Sequence, residues 1–182
     1  GGNSLGLMFK VMPMMRTFME GQWAMAREGV DAVVFHPKSL TGPHIAEALR
    51  APAFLALAAP GFSPTAAFPT PLLTSRNLGA TLNRWSYGFM SAASTGAYKG
   101  TVNAFRRETL GLGPASTSQV TGERAPKLYF FSPELIERPG DWGADTHVTG
   151  YWFLDRLPGW MPSRELAAFL EAGPPPVYIG FG

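Results

Sequence analysis

Two apolar runs, separated by a segment of helix length, constrain the fold of this chain more than any other feature. Residues 30–35 and 53–58 are each typical of a strand buried on both faces, because apolar residues run through them almost without a break. Between them, Pro43 suits the first position of a helix that carries Ile45 and Leu49. Strand, helix and strand within roughly 30 residues predict a βαβ crossover, and therefore a parallel sheet.

The rest of the chain continues this alternation of helices and strands. We expect helices at residues 14–28, 78–110 (interrupted by three glycines) and 163–172, further strands at 127–131 and 147–151, and a mobile polar loop at 111–126. The sequence therefore predicts an α/β chain with a Rossmann-like parallel sheet and helices on both of its faces.

Composition excludes several classes of protein. The net charge is +2 and no run of basic residues exceeds Arg106-Arg107, which argues against a nucleic-acid partner. The longest apolar stretch, residues 51–59, is far shorter than the ~20 residues of a membrane-spanning helix. The absence of cysteine suits a cytoplasmic protein. Only 15% of the residues are charged and the first helix is rich in methionine, features compatible with peripheral contact with a membrane.

Common catalytic signatures are also missing. The sequence contains no glycine-rich dinucleotide fingerprint, no phosphate-binding loop with Lys-Ser/Thr, no Gly-x-Ser-x-Gly elbow and no histidine pair at helical spacing. We therefore expect no metal site, and any chemistry has to come from a less familiar arrangement.

His36 is the titratable residue in the most informative place. It directly follows the first predicted strand, and open α/β sheets bind their ligands at the carboxyl ends of the strands. It could orient a hydroxyl group or exchange a proton with it, or it could simply bond the backbone of the next loop. Trp85 and Phe89, on one predicted helix face, fit either the core or an apolar ligand.

The last residues read as the start of another structural unit. A proline-rich segment, residues 174–176, leads into an apolar strand and then to Gly180 and Gly182, where a strand-to-helix turn is expected. We expect a first domain at residues 1–156, a linker with a capped helix at 157–176, and the first strand of a second domain at 177–182.

Several ordered segments resemble one known family. The matching stretches are residues 36–49, 62–65 with 68–71, 83–87, 105–107 with 110–112, 145–155 and 174–182. In these segments the chain resembles the N-terminal domain of the sterol 3-β-glucosyltransferases, which are UDP-sugar glycosyltransferases of the GT-B fold. The likeness extends over nearly the whole chain.

This resemblance implies a function. It implies transfer of a hexose from a UDP-sugar to a hydroxyl group on a hydrophobic acceptor of the sterol, lipid or polyketide-like class, with no cofactor and no metal. It assigns His36 to catalysis, Phe62, Trp85 and Phe89 to acceptor binding, and Gly180 and Gly182 to the donor side. The donor-binding C-terminal domain and the family's catalytic histidine are expected outside these 182 residues.

An alternative function remains open at this point. The same chain could be a non-catalytic subunit that binds an apolar ligand and pairs with a separate donor-binding chain. Related enzymes carry an acidic partner of the catalytic histidine at the position of His36. The resemblance therefore implies that His36 serves the acceptor hydroxyl in another way.

Overall fold

The computed structural model of this chain describes residues 4–154 and 159–180, and these fall into two compact units, Gly1–Tyr151 and Trp152–Gly182. The helices are α1 (Ser4–Ala26), α2 (Gly42–Leu49), α3 (Ala80–Phe105), α4 (Thr117–Thr121) and α5 (Arg164–Glu171). The strands are β1 (Val33–Phe35), β2 (Ala53–Leu57), β3 (Lys127–Tyr129) and β4 (Thr146–Val148). A short 3-10 helix, Pro37–Ser39, follows β1, and one π-helical turn, Arg106–Leu110, follows α3.

The first unit is built on a four-stranded, fully parallel sheet in the order β1-β2-β3-β4. The predicted crossover is confirmed, because β1 and β2 pair in parallel with Val33 opposite Ala53 and are joined through α2. The predicted α/β class with a parallel sheet is therefore correct. The carboxyl ends of the strands lie at one edge of the sheet, where His36 follows β1 directly.

One aromatic cluster fills the core of the sheet. Tyr129 is fully buried, its ring stacks on Trp142 at a centroid distance of 4.8 Å, and it lies 5.4 Å from the ring of Phe131. Phe35 joins this cluster. A side chain at Gly122, whose φ is +70°, would come within 2.7 Å of the Phe35 ring, so this position favours glycine for both conformation and space.

Strand β1 lies at the edge of the described sheet. Its residues form the apolar run that predicts a strand covered on both faces, yet 54% of Val34 is exposed. The prediction of full burial is therefore wrong for β1, because the face of the sheet that carries Val34 is not fully covered in the described chain.

Helix boundaries differ from the sequence prediction in three places. Helix α1 begins at Ser4, ten residues earlier than expected, and continues through Pro13. Helix α3 is unbroken at Gly88, Gly96 and Gly100, because a single glycine costs a helix only about 1 kcal/mol. The polar segment predicted to be a mobile loop contains α4, whose first turn is closed by a capping box between Ser116 and Gln119.

Helix α1 lies against the end of α3 within the first unit. Arg16 donates to Glu108 at 3.0 Å and to Thr109 at 3.0 Å, and its guanidinium group lies 5.9 Å from the centroid of the Phe105 ring. Met19 of α1 is buried. No helix in the described part of the chain is long and apolar enough to cross a membrane.

The second unit contains α5, whose predicted cap is confirmed. The Ser163 hydroxyl accepts from the backbone N–H of Leu166 at 3.2 Å. Residues 174–180 are irregular, and Tyr178 is 91% exposed. The predicted strand at 177–182 does not form within the described residues, since it finds no paired strand there. The proposed domain boundaries stay predictions.

Candidate functional site

The backbone of the following turn fixes the ring of His36. His36 caps the 3-10 helix Pro37–Ser39 with an extended backbone, φ −94° and ψ 147°, and its Nδ1 accepts from the N–H of Lys38 at 3.2 Å. Partial burial, and then the positive charge of Lys38, lower the pKa of His36 below its ordinary 6.5. The ring is therefore neutral at physiological pH. The structure bears out the backbone bond that the sequence left open as the simple alternative.

A cavity of about 530 Å³ lies beside His36, between the exposed edge of β1 and helix α1. Most of its lining is apolar and includes Phe18 and Ile45. The polar lining residues are Gln22, His36, Lys38, Ser39 and Thr41. A largely apolar wall with a few polar groups is typical of sites for small apolar molecules that carry a hydroxyl group.

Three of these polar side chains bond to one another. The Gln22 oxygen accepts from the Ser39 hydroxyl at 3.1 Å and from the hydroxyl of Thr41, and the two hydroxyl oxygens are 2.8 Å apart. Thr41 is completely buried. This network joins α1 to the turn that carries His36, so the position of the ring depends on a helix that precedes it in sequence.

Helix α3 carries the second group of predicted residues, and the orientation of its first part is the reverse of what the hydrophobic pattern indicates. Trp85 is 74% exposed and Phe89 is 63% exposed, whereas Asn83, Ser86 and Tyr87 are buried. The possibility that Trp85 and Phe89 belong to the core is therefore wrong. The two exposed rings, with Arg84 and Gly88, line an open depression of about 490 Å³.

Hydrogen bonds explain why polar residues lie on the inner side of α3. Asn83 accepts from the N–H of Leu78 at 3.0 Å and donates to the Ala66 carbonyl at 2.9 Å. Ser86 accepts from the N–H of Thr70 at 2.8 Å. The loop before α3 thus uses side chains of the helix to satisfy its buried backbone groups, which leaves the apolar face turned outward.

Asp141 connects the same loop to α3. Its carboxylate accepts from the Thr65 hydroxyl at 2.6 Å, from the N–H of Ala66 at 2.8 Å and from Arg84 at 2.7 Å. These three bonds hold the pKa of Asp141 well below its usual range, with the bond from Thr65 the largest cause. The sequence gives no local signal for this role of Asp141, because its partners are more than fifty residues away.

A buried ionic cluster supports the helix that follows His36. Arg106 donates to both carboxylate oxygens of Glu47, to Nδ1 of His44 at 3.0 Å and to the Gly113 carbonyl at 2.6 Å. Burial, and then the charge of Arg106, lower the pKa of His44 to about 4. The arginine partner of His44 lies 62 residues away in sequence, so local patterns do not reveal this contact.

The predicted site residues do not form one site in the described chain. His36 lines the cavity beside β1, while Trp85 and Phe89 line the separate depression on α3. Phe62 is partly buried and packs against the core cluster. Gly180 belongs to the second unit, and Gly182 lies outside the described residues. The roles assigned to these residues stay predictions.

The described residues contain no group of three or more histidine, aspartate or glutamate side chains arranged to hold a metal ion. The acidic side chains already named are engaged with arginine: Asp141 with Arg84, and Glu47 with Arg106.

Curated proteins similar to this chain share one description. The chain is 36% identical over 162 residues to a sterol 3-beta-glucosyltransferase of Leptosphaeria maculans, which covers 86% of the chain and 11% of that protein. It is 36% identical over 155 residues to one of Arabidopsis thaliana, covering 84% of the chain and 24% of that protein.

A third relative, a sterol 3-beta-glucosyltransferase of Aspergillus fumigatus, is 33% identical over 169 residues, covering 90% of the chain and 12% of that protein. The chain thus spans between about a tenth and a quarter of the length of these relatives. No protein-family model matches the sequence. The similarity to these relatives nonetheless extends over most of the chain, and the parallel α/β sheet agrees with the resemblance noted in the sequence. The chain is therefore similar, over most of its own length, to one part of the sterol 3-beta-glucosyltransferases.

Proposed function

We propose that this chain is the acceptor-binding part of a glycosyltransferase that moves a hexose from a UDP-sugar to a hydroxyl group of a hydrophobic acceptor. The acceptor class is a sterol or a similarly shaped lipid or polyketide-like molecule. Similarity to sterol 3-beta-glucosyltransferases supports the sugar transfer, and the exposed surface of α3 that carries Trp85 and Phe89 supports the apolar acceptor.

The reversed orientation of α3 is the observation that carries this proposal. A helix in water normally turns its apolar residues inward, but Leu82, Trp85 and Phe89 are mostly exposed here. Large exposed apolar patches mark surfaces that bind a partner or a ligand. Flat aromatic rings beside an open depression suit a rigid, flat sterol ring system, which buries apolar area and needs few polar contacts.

The chemistry of the proposed transfer requires more than an acceptor surface. The hydroxyl group has to be oriented or deprotonated, and the departing diphosphate needs hydrogen-bond donors fixed around it. We propose that the diphosphate is held by protein groups outside the described residues, without a metal or other cofactor, and that Gly180 and Gly182 lie on that donor side. The 182-residue chain alone is then catalytically inactive. We place the complete enzyme in the cytoplasm, at or near a membrane surface that supplies the acceptor.

Sterol binding by the chain itself tests the acceptor part of this proposal. Radiolabelled cholesterol, delivered from cyclodextrin and separated by gel filtration, should be retained by the chain. Phe89→Ser combined with Leu82→Ser should abolish the retention, whereas the control Leu135→Ser, at another exposed leucine, should not. Equal retention by all three proteins would refute the assignment of this surface.

Sugar transfer is tested with a longer protein, in which this chain is joined to the segments of a relative that lie outside the matched region. Incubation with UDP-[14C]glucose and a panel of sterols and other hydrophobic alcohols should give a labelled glycoside. Sterol retention without any glycoside from the longer protein would instead support a non-catalytic binding subunit.

A further inference from the structure

The hydrogen bond between His36 and Lys38 determines which nitrogen of the imidazole ring carries the proton. The backbone N–H of Lys38 is a donor only, so Nδ1 of His36 has to present a lone pair to it across their 3.2 Å separation. A neutral imidazole carries one proton, which then lies on Nε2. The tautomer follows from the hydrogen-bond network.

We propose that His36 contributes its Nε2–H group as a hydrogen-bond donor to an oxygen atom of an acceptor that reaches the cavity beside β1, a region separate from the depression on α3, and not a lone pair that takes up the hydroxyl proton. This inference rests on the proposed function, and it makes His36 an orienting residue rather than the general base. It also changes the catalytic role that the sequence indicated for this residue.

Acting as a base through Nε2 would require the opposite tautomer. Nδ1 would then carry a hydrogen that points toward the N–H of Lys38, and two donors would face each other. The 3-10 helix would then lose the side-chain cap that starts it. The local backbone therefore favours the donor form of the ring.

The other polar groups of the cavity lead to the same conclusion. The oxygen of Gln22 and the hydroxyl groups of Ser39 and Thr41 are engaged with one another. Among the described lining side chains, the groups that this network does not occupy are Nε2 of His36, the ammonium group of Lys38 and the amide nitrogen of Gln22, and all three carry N–H groups. A cavity that offers such donors suits an oxygen with free lone pairs, as in a hydroxyl group.

The tautomer can be measured on this chain directly. In a protein labelled with [15N]histidine at pH 8, the long-range 15N–1H spectrum should show His36 with Nε2 protonated and Nδ1 unprotonated. The variant His36→Asn assigns the signal, because it removes one of three histidine spin systems. A spectrum with the proton on Nδ1 would overturn the proposal, whatever the outcome of any activity measurement.

Two substitutions in the longer, active protein separate a donor from a base. His36→Asn keeps an oxygen that can cap the turn and an N–H donor, whereas His36→Leu removes both. For a donor, kcat/KM of the asparagine variant should fall by no more than about tenfold, and it should exceed that of the leucine variant. Loss of a general base would instead lower kcat by about 100- to 10,000-fold in both variants.

The pH profile provides a second readout from the same proteins. If His36 is a donor, the acidic limb of kcat/KM should be the same in the wild-type and asparagine variants. Disappearance of that limb in the asparagine variant would contradict the inference. An inactive wild-type protein would count against the proposed function, and the NMR measurement would still decide the tautomer.

Discussion

The guanidinium group of Arg106 donates to both carboxylate oxygens of Glu47, with Nη1 2.7 Å from Oε2 and Nη2 3.0 Å from Oε1. The Arg106 side chain is 3% exposed and that of Glu47 is 38% exposed. This paired arrangement joins the turn after α3 to the helix after His36. The Glu47 carboxylate supplies the counter-charge without which burying the guanidinium group would be strongly unfavourable.

Removing the charge of Glu47 should therefore destabilise the chain. Glu47→Gln leaves the buried guanidinium group without a counter-charge, and because Glu47 is partly solvated the expected cost is about 2–3 kcal/mol, below the figure for a fully buried pair. Urea denaturation at pH 7 measures it. The control Arg107→Gln, which removes one side of an exposed pair with Glu108, should leave the unfolding midpoint unchanged. Similar midpoints for both variants would contradict the stabilising role of this pair.

His44 should make stability depend on pH in mildly acidic solution. Its pKa is about 4 in the folded chain and 6.5 when unfolded, so the unfolded chain binds more protons between these values. Stability is thus fully present above pH 6.5 and falls as the pH is lowered toward 4, by about 3 kcal/mol in total. Urea unfolding at several pH values measures this slope.

The variant His44→Gln should remove most of the dependence between pH 6.5 and 4.5, because glutamine still accepts from Arg106 but does not titrate. His147→Gln, at an exposed histidine, serves as the matched control. An unchanged slope in His44→Gln would show that other groups cause the effect.

The reversed orientation of α3 predicts an unusual pair of mutational effects. Asn83→Ala should destabilise the chain by about 2–3 kcal/mol, because it leaves the Leu78 N–H and the Ala66 carbonyl without their partner. Leu82→Gln, one residue earlier and mostly exposed, should change stability by less than about 0.5 kcal/mol. Thermal unfolding by circular dichroism compares them. The opposite order would indicate that α3 packs with its apolar face inward.

The carboxylate of Asp141 should hold the loop before α3 in place. Asp141→Asn weakens its bonds with Thr65 and Arg84, so limited proteolysis should cut the loop at residues 61–71 faster than in the wild type. Asp31→Asn provides the control. Since its pKa is depressed in the folded chain, Asp141 contributes stability above its unfolded value of 3.8 and loses it as the pH falls further. Protection should therefore be present at pH 7 in the wild type.

Local patterns were sufficient for the elements whose signals lie within a few residues. Continuous apolar runs predicted β1 and β2, and Pro43 and Ser163 marked the starts of α2 and α5 correctly. These predictions succeeded because backbone conformation and capping depend on neighbours in sequence. The same rules failed for the glycines of α3, where the rest of the helix compensates for each weak position.

The candidate site was predicted less completely, and Trp85 illustrates the reason. The sequence shows that Leu82, Trp85 and Phe89 share a helix face, but periodicity does not state which face the rest of the molecule covers. The backbone groups of Leu78 and Thr70, which need buried partners, turn the polar face inward. That requirement appears only when the preceding loop is packed on the helix.

The sequence by itself determined the parallel α/β architecture, the place of His36 at the end of the first strand, and the similarity to sterol 3-beta-glucosyltransferases. The tertiary structure alone decided that the His36 ring faces Lys38 through Nδ1, that α3 exposes Trp85 and Phe89, and that the buried Arg106 meets both Glu47 and His44. Strand and helix signals are local, whereas burying a charge or a backbone amide requires partners that folding brings from distant parts of the chain.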